Sequence, residues 1–305
     1  MKALKSRDRI SWTIDGAGAG ATLCALMAQT LLLTEKDALD LIDFGSVQVN
    51  GRLERQPGRT LRTGDVIQVH WPRLGPKRHY EVDPRRILFQ DEDILVYDKE
   101  RGVPSQQTPY DAYNNLYAGL LRHLAKTFGG RFRVGLHHRL DRETSGVMIF
   151  ALDPRANRKL GKAFENRQVL KEYLACINGL PPRDAWSRED DIGRRQGRYA
   201  TVPKGEGKSA ATRFRILLRG GERSLVHAQP LTGRTHQIRL HLAASGYPVL
   251  GDRLYGGSPW EFLCLHAHRL SLPHPVSGRL MQWTAPLPPD WPEPRPAPTP
   301  DERRS

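Results

Sequence analysis

The segment His138–Gly146, HRLDRETSG, sets one carboxylate, Asp141, between Arg139 and Arg142 in a stretch of polar and glycine turn formers. Directly after it, Val147-Met148-Ile149-Phe150-Ala151 has the length and composition of a buried strand. A carboxylate between guanidinium groups at the mouth of such a strand is expected to stay ionised near neutral pH, because adjacent positive charge favours the charged form. That is the state a nucleophile requires. An Asp between arginines is, taken alone, more often a surface salt bridge. Two downstream segments give it company: Lys171-Glu172-Tyr173 opening a strand candidate, and Gly233-Arg234-Thr235-His236-Gln237-Ile238-Arg239 running into a helix candidate.

In order and spacing, these three motifs resemble those of the RluA family of RNA pseudouridine synthases. The likeness runs from about Arg86 to about Pro286. The resemblance implies isomerisation of uridine to pseudouridine in a structured RNA, ribosomal or transfer: the glycosidic bond breaks, the uracil turns, and its carbon 5 rejoins the sugar. It makes Asp141 the covalent nucleophile and leaves open whether the sugar or the base is attacked. It makes Tyr173 the residue that packs on the target base and a candidate for the closing proton transfer. By the same resemblance Arg239 forms an ion pair with Asp141, and Arg139 contacts RNA, filling the space the target vacates or meeting its displaced partner base. No metal and no organic cofactor is expected, since a carboxylate and a held leaving base suffice. The target must leave the stack to reach such a pocket, at a cost of about a few kcal/mol.

Composition agrees from an independent side. With 47 Lys and Arg against 33 Asp and Glu in 305 residues the net charge is +14, which favours a polyanionic partner, a nucleic acid or a membrane surface. No apolar run approaches the roughly 18 residues of a membrane span, and the N-terminus has no signal-peptide core. The expectation is a cytoplasmic, monomeric RNA-binding enzyme. Cys24, Cys176 and Cys264 stand far apart without a CxxC pair, which argues against a disulfide framework or zinc cluster. His236 and His241, five apart, fit one helical face poorly as metal ligands.

The elements that must position these residues divide into a small module over 1–75, a linker over 76–86, a catalytic domain over 87–286 and a Pro-rich tail over 287–305. In the module, Ile10–Ile14 reads as a strand, Ala21–Leu33 as a helix, and Thr34 caps a second helix, Glu35–Phe44, that Gly45 ends. A hairpin through Asn50-Gly51 and the strand Gly64–Val69 follow. This order is similar to a small RNA-binding module shared with a ribosomal small-subunit protein, but Thr34-Glu35-Lys36 stands where such modules place a Ser-Arg pair. The departure predicts a module that is present and binds RNA poorly.

The catalytic domain is expected to be α+β, built on a mixed, mainly antiparallel sheet. Its helices are Asn114–Thr127, a basic one opened by Pro154, and His236–Ser245 capped by Thr235. Arg183–Lys208 reads as a polar, Gly-rich loop or hairpin insertion, suited to phosphates and ordered by RNA. A competing signal, Gly16–Ala21 as GAGAGA, satisfies a relaxed dinucleotide fingerprint, but the helix-helix-hairpin order after it lacks the required strand-helix-strand unit. A non-catalytic RNA-binding protein would explain the charge and leave the three motifs idle.

Overall fold

The computed structural model describes residues 4–6, 9–72, 76, 79–108, 111–130 and 132–292. The tail beyond 292 and parts of the expected linker lie outside the described residues. The chain forms two compact units, Met1–Val82 with Gln106–Gly130, and Asp83–Ser105 with Arg131–Ser305.

The smaller unit contains strands β1 (Leu4–Ser6) and β2 (Arg9–Thr13), helices α1 (Leu23–Leu31) and α2 (Glu35–Phe44), then β3 (Val47–Val49), β4 (Arg52–Leu53) and β5 (Val66–His70). The strands make an antiparallel sheet in the order β1-β2-β5-β3-β4. Trp12, Leu23, Met27, Leu41, Ile42, Val47 and Ile67 form its buried core. Thr34 Oγ1 accepts from the Asp37 amide at 3.1 Å and donates to its carboxylate at 2.7 Å, and Gly45 ends α2 at φ +81°. The GAGAGA turn lies between β2 and α1, but β2 pairs antiparallel with β5, so the parallel crossover of a dinucleotide fold is not built here.

Helix α3 (Leu116–Phe128) belongs to this unit, whereas the sequence boundaries assign it to the catalytic domain. The reason is local packing. Asn114 Oδ1 accepts from the amides of His79 and Tyr80 at 2.8 and 3.0 Å, and a Cβ at Gly119 would sit 2.7 Å from the Tyr80 ring. Helical spacing announces α3 but carries no information about which core receives it.

The larger unit adds β6 (Ile87–Gln90), β7 (Ile94–Lys99), β8 (Gly135–Leu136), β9 (Ser145–Ala151), α4 (Pro154–Glu165), β10 (Leu170–Asn178), β11 (Ala185–Arg195), β12 (Arg198–Val202), β13 (Lys208–Gly220), β14 (Arg223–Pro230), α5 (Gln237–Ala244), β15 (Leu265–Pro273) and β16 (Leu280–Thr284). Its sheet runs β12-β11-β13-β14-β10-β15-β9-β7-β6, with β16 on β15 and β8 on β9. Among the described strands of this sheet only the β9–β15 pair is parallel. All seven residues of β9 are buried; each large apolar side chain there contributes about 1.5–3 kcal/mol. That fixes the exit of the HRLDRETSG loop.

The insertion is a regular hairpin, not a segment awaiting RNA. β11 and β12 pair around Gln196-Gly197, both at positive φ, and β11 pairs along β13. Trp186 stacks on Phe214 with ring centroids 5.0 Å apart, and Ile192 is buried. These two apolar positions among polar ones suffice once a neighbouring strand supplies the rest of the surface.

Candidate active site

The loop that carries Asp141 is clamped from below by residues 99–105. Lys99, fully buried, donates to the carbonyls of Glu100, Val103 and Arg142 at 2.7, 2.9 and 3.2 Å. Burial pushes its ammonium down to about 7, against the attraction of Glu100, Glu143 and Asp141. Ser105 Oγ donates to the Leu140 carbonyl at 2.7 Å and accepts from its amide at 3.0 Å. At the loop's end Gly146 has φ +114°, and a Cβ there would lie 2.2 Å from the Ala267 carbonyl oxygen, so only glycine permits the parallel contact with β15. Ser145 Oγ meets His266 Nδ1 at 2.8 Å across the same contact.

His138 anchors the other end. Its Nε2 accepts from the Ile149 amide at 3.0 Å, and its ring stacks on Phe164 with centroids 5.1 Å apart. Burial, with Lys171 and His137 adding to it, pushes this imidazole down to about 3, so it stays neutral and keeps its acceptor nitrogen.

Arg239 Nη1 lies 3.2 Å from Asp141 Oδ2. The rest of the guanidinium is held by Asp252, Nε to Oδ2 at 2.7 Å and Nη2 to Oδ1 at 2.8 Å. Side-chain exposure is 7% for Arg239, 0% for Asp252 and 26% for Asp141. Burial opposes the Arg239 charge, but the Asp252 hydrogen bonds and both carboxylates hold the guanidinium above its ordinary pKa. Asp252 is itself fixed by the amides of Leu254 and Tyr255, at 3.0 and 3.2 Å, in a loop whose Gly251 would bring a Cβ within 1.8 Å of the Phe262 carbonyl. A bidentate fork on one carboxylate thus leaves one nitrogen aimed at the other.

Two local expectations change. Arg142 does not face Asp141: its Nε donates to the Gly102 carbonyl at 2.9 Å and lies 3.6 Å from Glu143, so the cation at Asp141 comes from 98 residues downstream. Thr235 does not cap α5. His236 occupies the cap position in the left-handed region, φ +57°, with no side-chain cap. The turn is closed instead by Gln237, whose Oε1 accepts from Thr232 Oγ1 and the Arg234 amide at 2.7 and 3.0 Å, while its Nε2 donates to Ala211 and Thr212.

Tyr173 lies on β10, partly buried against the main core of this unit. Burial first, and then the Asp141 charge, push its phenol well up, so it carries its proton at neutral pH. Arg139 is exposed. Sequence reasoning weighed His236 only as a metal ligand and missed its place beside Asp141, Nε2 to Oδ2 at 3.6 Å, and it missed Tyr255, whose hydroxyl is 2.6 Å from His236 Nδ1. The partner role of Asp252 was missed too, and its Gly251-Asp252 dipeptide was the available signal.

Asp91, Asp93 and His274 gather atoms of metal-ligand type within 4.8 Å. Two of the three are engaged: Asp91 Oδ1 accepts from the Asp93 and Ile94 amides, and His274 bonds Asp91 through Nε2 while its Nδ1 accepts from Val276 and Ser277. The cluster locks a hairpin.

Residues 93–244, which include the Asp141 carboxylate on its buried guanidinium, match the family described as RNA pseudouridylate synthase, a class of RNA-modifying isomerase. The chain belongs to the RluA family of RNA pseudouridine synthases, enzymes that isomerise uridine in RNA. It is 37% identical to an RNA pseudouridine synthase of Aquifex aeolicus, over 79% of this chain and 82% of that one. It is 30% identical to the ribosomal large subunit pseudouridine synthase D of Zymomonas mobilis, over 93% of each. Among solved structures, human RNA Pseudouridylate Synthase Domain Containing 4 superposes with a TM-score of 0.58 at 26% identity, covering 67% of this chain and 89% of that one. No helix among the described residues is long and apolar enough to cross a membrane.

Proposed function

We propose that the chain isomerises uridines of large-subunit ribosomal RNA, with Asp141 as the covalent nucleophile. The observation that carries this is the 3.2 Å contact of Arg239 Nη1 with Asp141 Oδ2, made by a guanidinium that Asp252 already holds at two other nitrogens. Such a pair aims the carboxylate and, being desolvated, speaks for function and not for stability. Tyr173 packs on the target base, Arg239 orients Asp141, and Arg139 contacts the RNA from its exposed position before the nucleophile. The choice of ribosomal over transfer RNA follows relatives named ribosomal large subunit pseudouridine synthase D. The enzyme works as a monomer in the cytoplasm, without metal or organic cofactor, and residues 1–75 act as an accessory module of weak RNA affinity.

Pseudouridines mapped in ribosomal and transfer RNA of a strain lacking the gene test this reading. At least one large-subunit position is expected to lose its mark, to regain it with the wild-type gene, and to stay unmodified with Asp141→Asn, whose amide is nearly isosteric and far less nucleophilic. Marks missing only from transfer RNA would move the substrate, and restoration by Asp141→Asn would remove the nucleophile.

A further inference from the structure

Lys171 stands two residues before Tyr173 on β10, and strand alternation puts both side chains on one face of the sheet. The pairing with β15 agrees: Lys171 lies opposite the buried Leu270 and Tyr173 opposite the buried Ala267. The extra residue at the irregularity, His268, is on β15, so the alternation along β10 is unbroken. Glu172 turns to the other face, where His227 and Arg269 contact its carboxylate.

The Lys171 ammonium is partly buried and hardly partnered. Among the described residues it donates to one group, the Thr232 carbonyl, at 3.5 Å, the outer limit of a hydrogen bond, and it makes no ion pair. Burial lowers its pKa and no carboxylate opposes that shift. An ammonium has three donors, so two of them and the charge itself are unclaimed. Lys99 shows the contrast, a buried ammonium spent on structure, with three carbonyls at 2.7, 2.9 and 3.2 Å. Arg239 is likewise occupied, by Asp252 and Asp141. On one side Lys171 Nζ adjoins Gly233, which is exposed and whose Cβ, if it had one, would stand 3.7 Å away. On the other it is near enough to His138 to lower that imidazole's pKa. The uncompensated charge therefore sits between the stretch leading to Asp141 and the turn leading to Arg239, on the face of Tyr173. A desolvated cation is costly to keep unless something neutralises it.

We propose that Lys171 binds a phosphodiester oxygen of the target nucleotide once that nucleotide has left the stack. The inference rests on the reading of Asp141 and Tyr173 as the site of uridine isomerisation. Two residues along a strand span about 6.6 Å, the scale on which a nucleotide separates its base from its own phosphates. A base on Tyr173 thus brings a flanking phosphate within reach of the flexible Lys171 stem. Charge selects the phosphate over the uracil carbonyls, because a bond between two ionised groups is about twice as strong as one between neutral groups. The contact exists only in the flipped state, so it offsets part of the cost of unstacking.

The test uses the full-length protein and total RNA from a strain lacking the gene, lightly treated with ethylnitrosourea, which turns charged phosphodiesters into neutral ethyl triesters. Molecules that gain a pseudouridine are captured through it, and their triesters are located by mild alkaline cleavage. With the wild type, triesters at one of the two phosphates flanking the mark should be depleted about tenfold or more, the loss of one charge-assisted hydrogen bond. Lys171→Met should mark RNA about tenfold more slowly and lose most of that depletion, whereas Lys171→Arg, which keeps the charge, should retain it. Lys171→Gln, neutral but able to donate to Thr232, should behave as Lys171→Met does, and it serves if the latter does not fold. Thermal unfolding gives a second readout: removing an uncompensated buried charge should leave the Tm of Lys171→Met unchanged or raised. Depletion as strong in the neutral variants as in the wild type, no depletion at either flanking phosphate in the wild type, or a clear fall in Tm overturns the assignment; the ammonium then holds the Thr232 turn and not a phosphate. RNA left unmarked by the wild type overturns the uridine chemistry itself, and this contact with it.

Discussion

Helices α2 and α4 are similar in length, are both capped by a side chain at the N-terminus, and both bury an apolar stripe in their own unit, yet they show solvent opposite charges. α2 exposes Glu35, Asp37, Asp40 and Asp43 beside the single Lys36, whereas α4 exposes Arg155, Arg158, Lys159 and Lys162 beside Glu165. The interiors differ in the same sense. Among the described residues, the smaller unit buries no charged side chain, while the larger one buries Asp98, Lys99, Arg239 and Asp252. Buried charge is costly and persists where chemistry needs it. The net charge of +14 therefore conceals an acidic helix face in one unit and a basic one in the other.

The largest effect should come from the buried charges. Arg239→Met removes the donor from Asp141 and leaves Asp252 buried without its partner, so kcat should fall about a hundredfold or more and unfolding free energy by about 3–5 kcal/mol. Adding Asp252→Leu should recover stability without recovering turnover; denaturant titration and kinetics together decide. Full activity in Arg239→Met would end the view that buried charge here serves catalysis.

Acid should separate the units next. Burial holds His138 near pKa 3 and His241 and His266 near 4, all in the larger unit, against 6.5 for an ordinary histidine. Since the folded values are lower, the unfolded chain takes up protons first as pH falls below 6.5. Stability fully present above 6.5 is then lost progressively down to about 4 for His241 and His266 and about 3 for His138, at about 1.4 kcal/mol per unit of pKa difference. Native-state hydrogen exchange at pH 5 should show β9 and β15 losing protection before α1 and α2; the reverse order would sink the comparison.

A smaller change is expected at the hairpin. Arg188 is tied to Asp190 at 2.6 Å and to the Ala244 carbonyl, whereas Arg195 and Arg198 are exposed. Arg195→Gln with Arg198→Gln should flatten the slope of log affinity against log salt by roughly 0.7–0.9 for each phosphate that is no longer neutralised. An unchanged slope would move the RNA surface elsewhere. The smallest effect belongs to α2: Glu35→Gln with Asp40→Asn should alter RNA affinity by less than about twofold, because surface substitutions away from an interface change little. A severalfold gain in binding would show that RNA approaches this acidic face.

The sequence by itself determined the elements whose causes are local. Thr34 and Gly45 bound α2, Asn50-Gly51 turns a hairpin at φ +53° and +75°, and the apolar run after Gly146 is the buried strand β9. It also carried the three motifs, since their order and spacing survive without coordinates. Tertiary structure alone decided what meets what. Arg142, adjacent to Asp141, turns to the Gly102 carbonyl, and Arg239, far along the chain, supplies the cation. Asp252 holds Arg239, α3 joins the smaller unit through Gly119 and Tyr80, and a polar insertion becomes two strands because β13 offers it an edge. Caps, turns and apolar runs depend on neighbours a few residues away. Ion pairs and strand partners depend on the closing of long loops, and no window of sequence contains both ends of one.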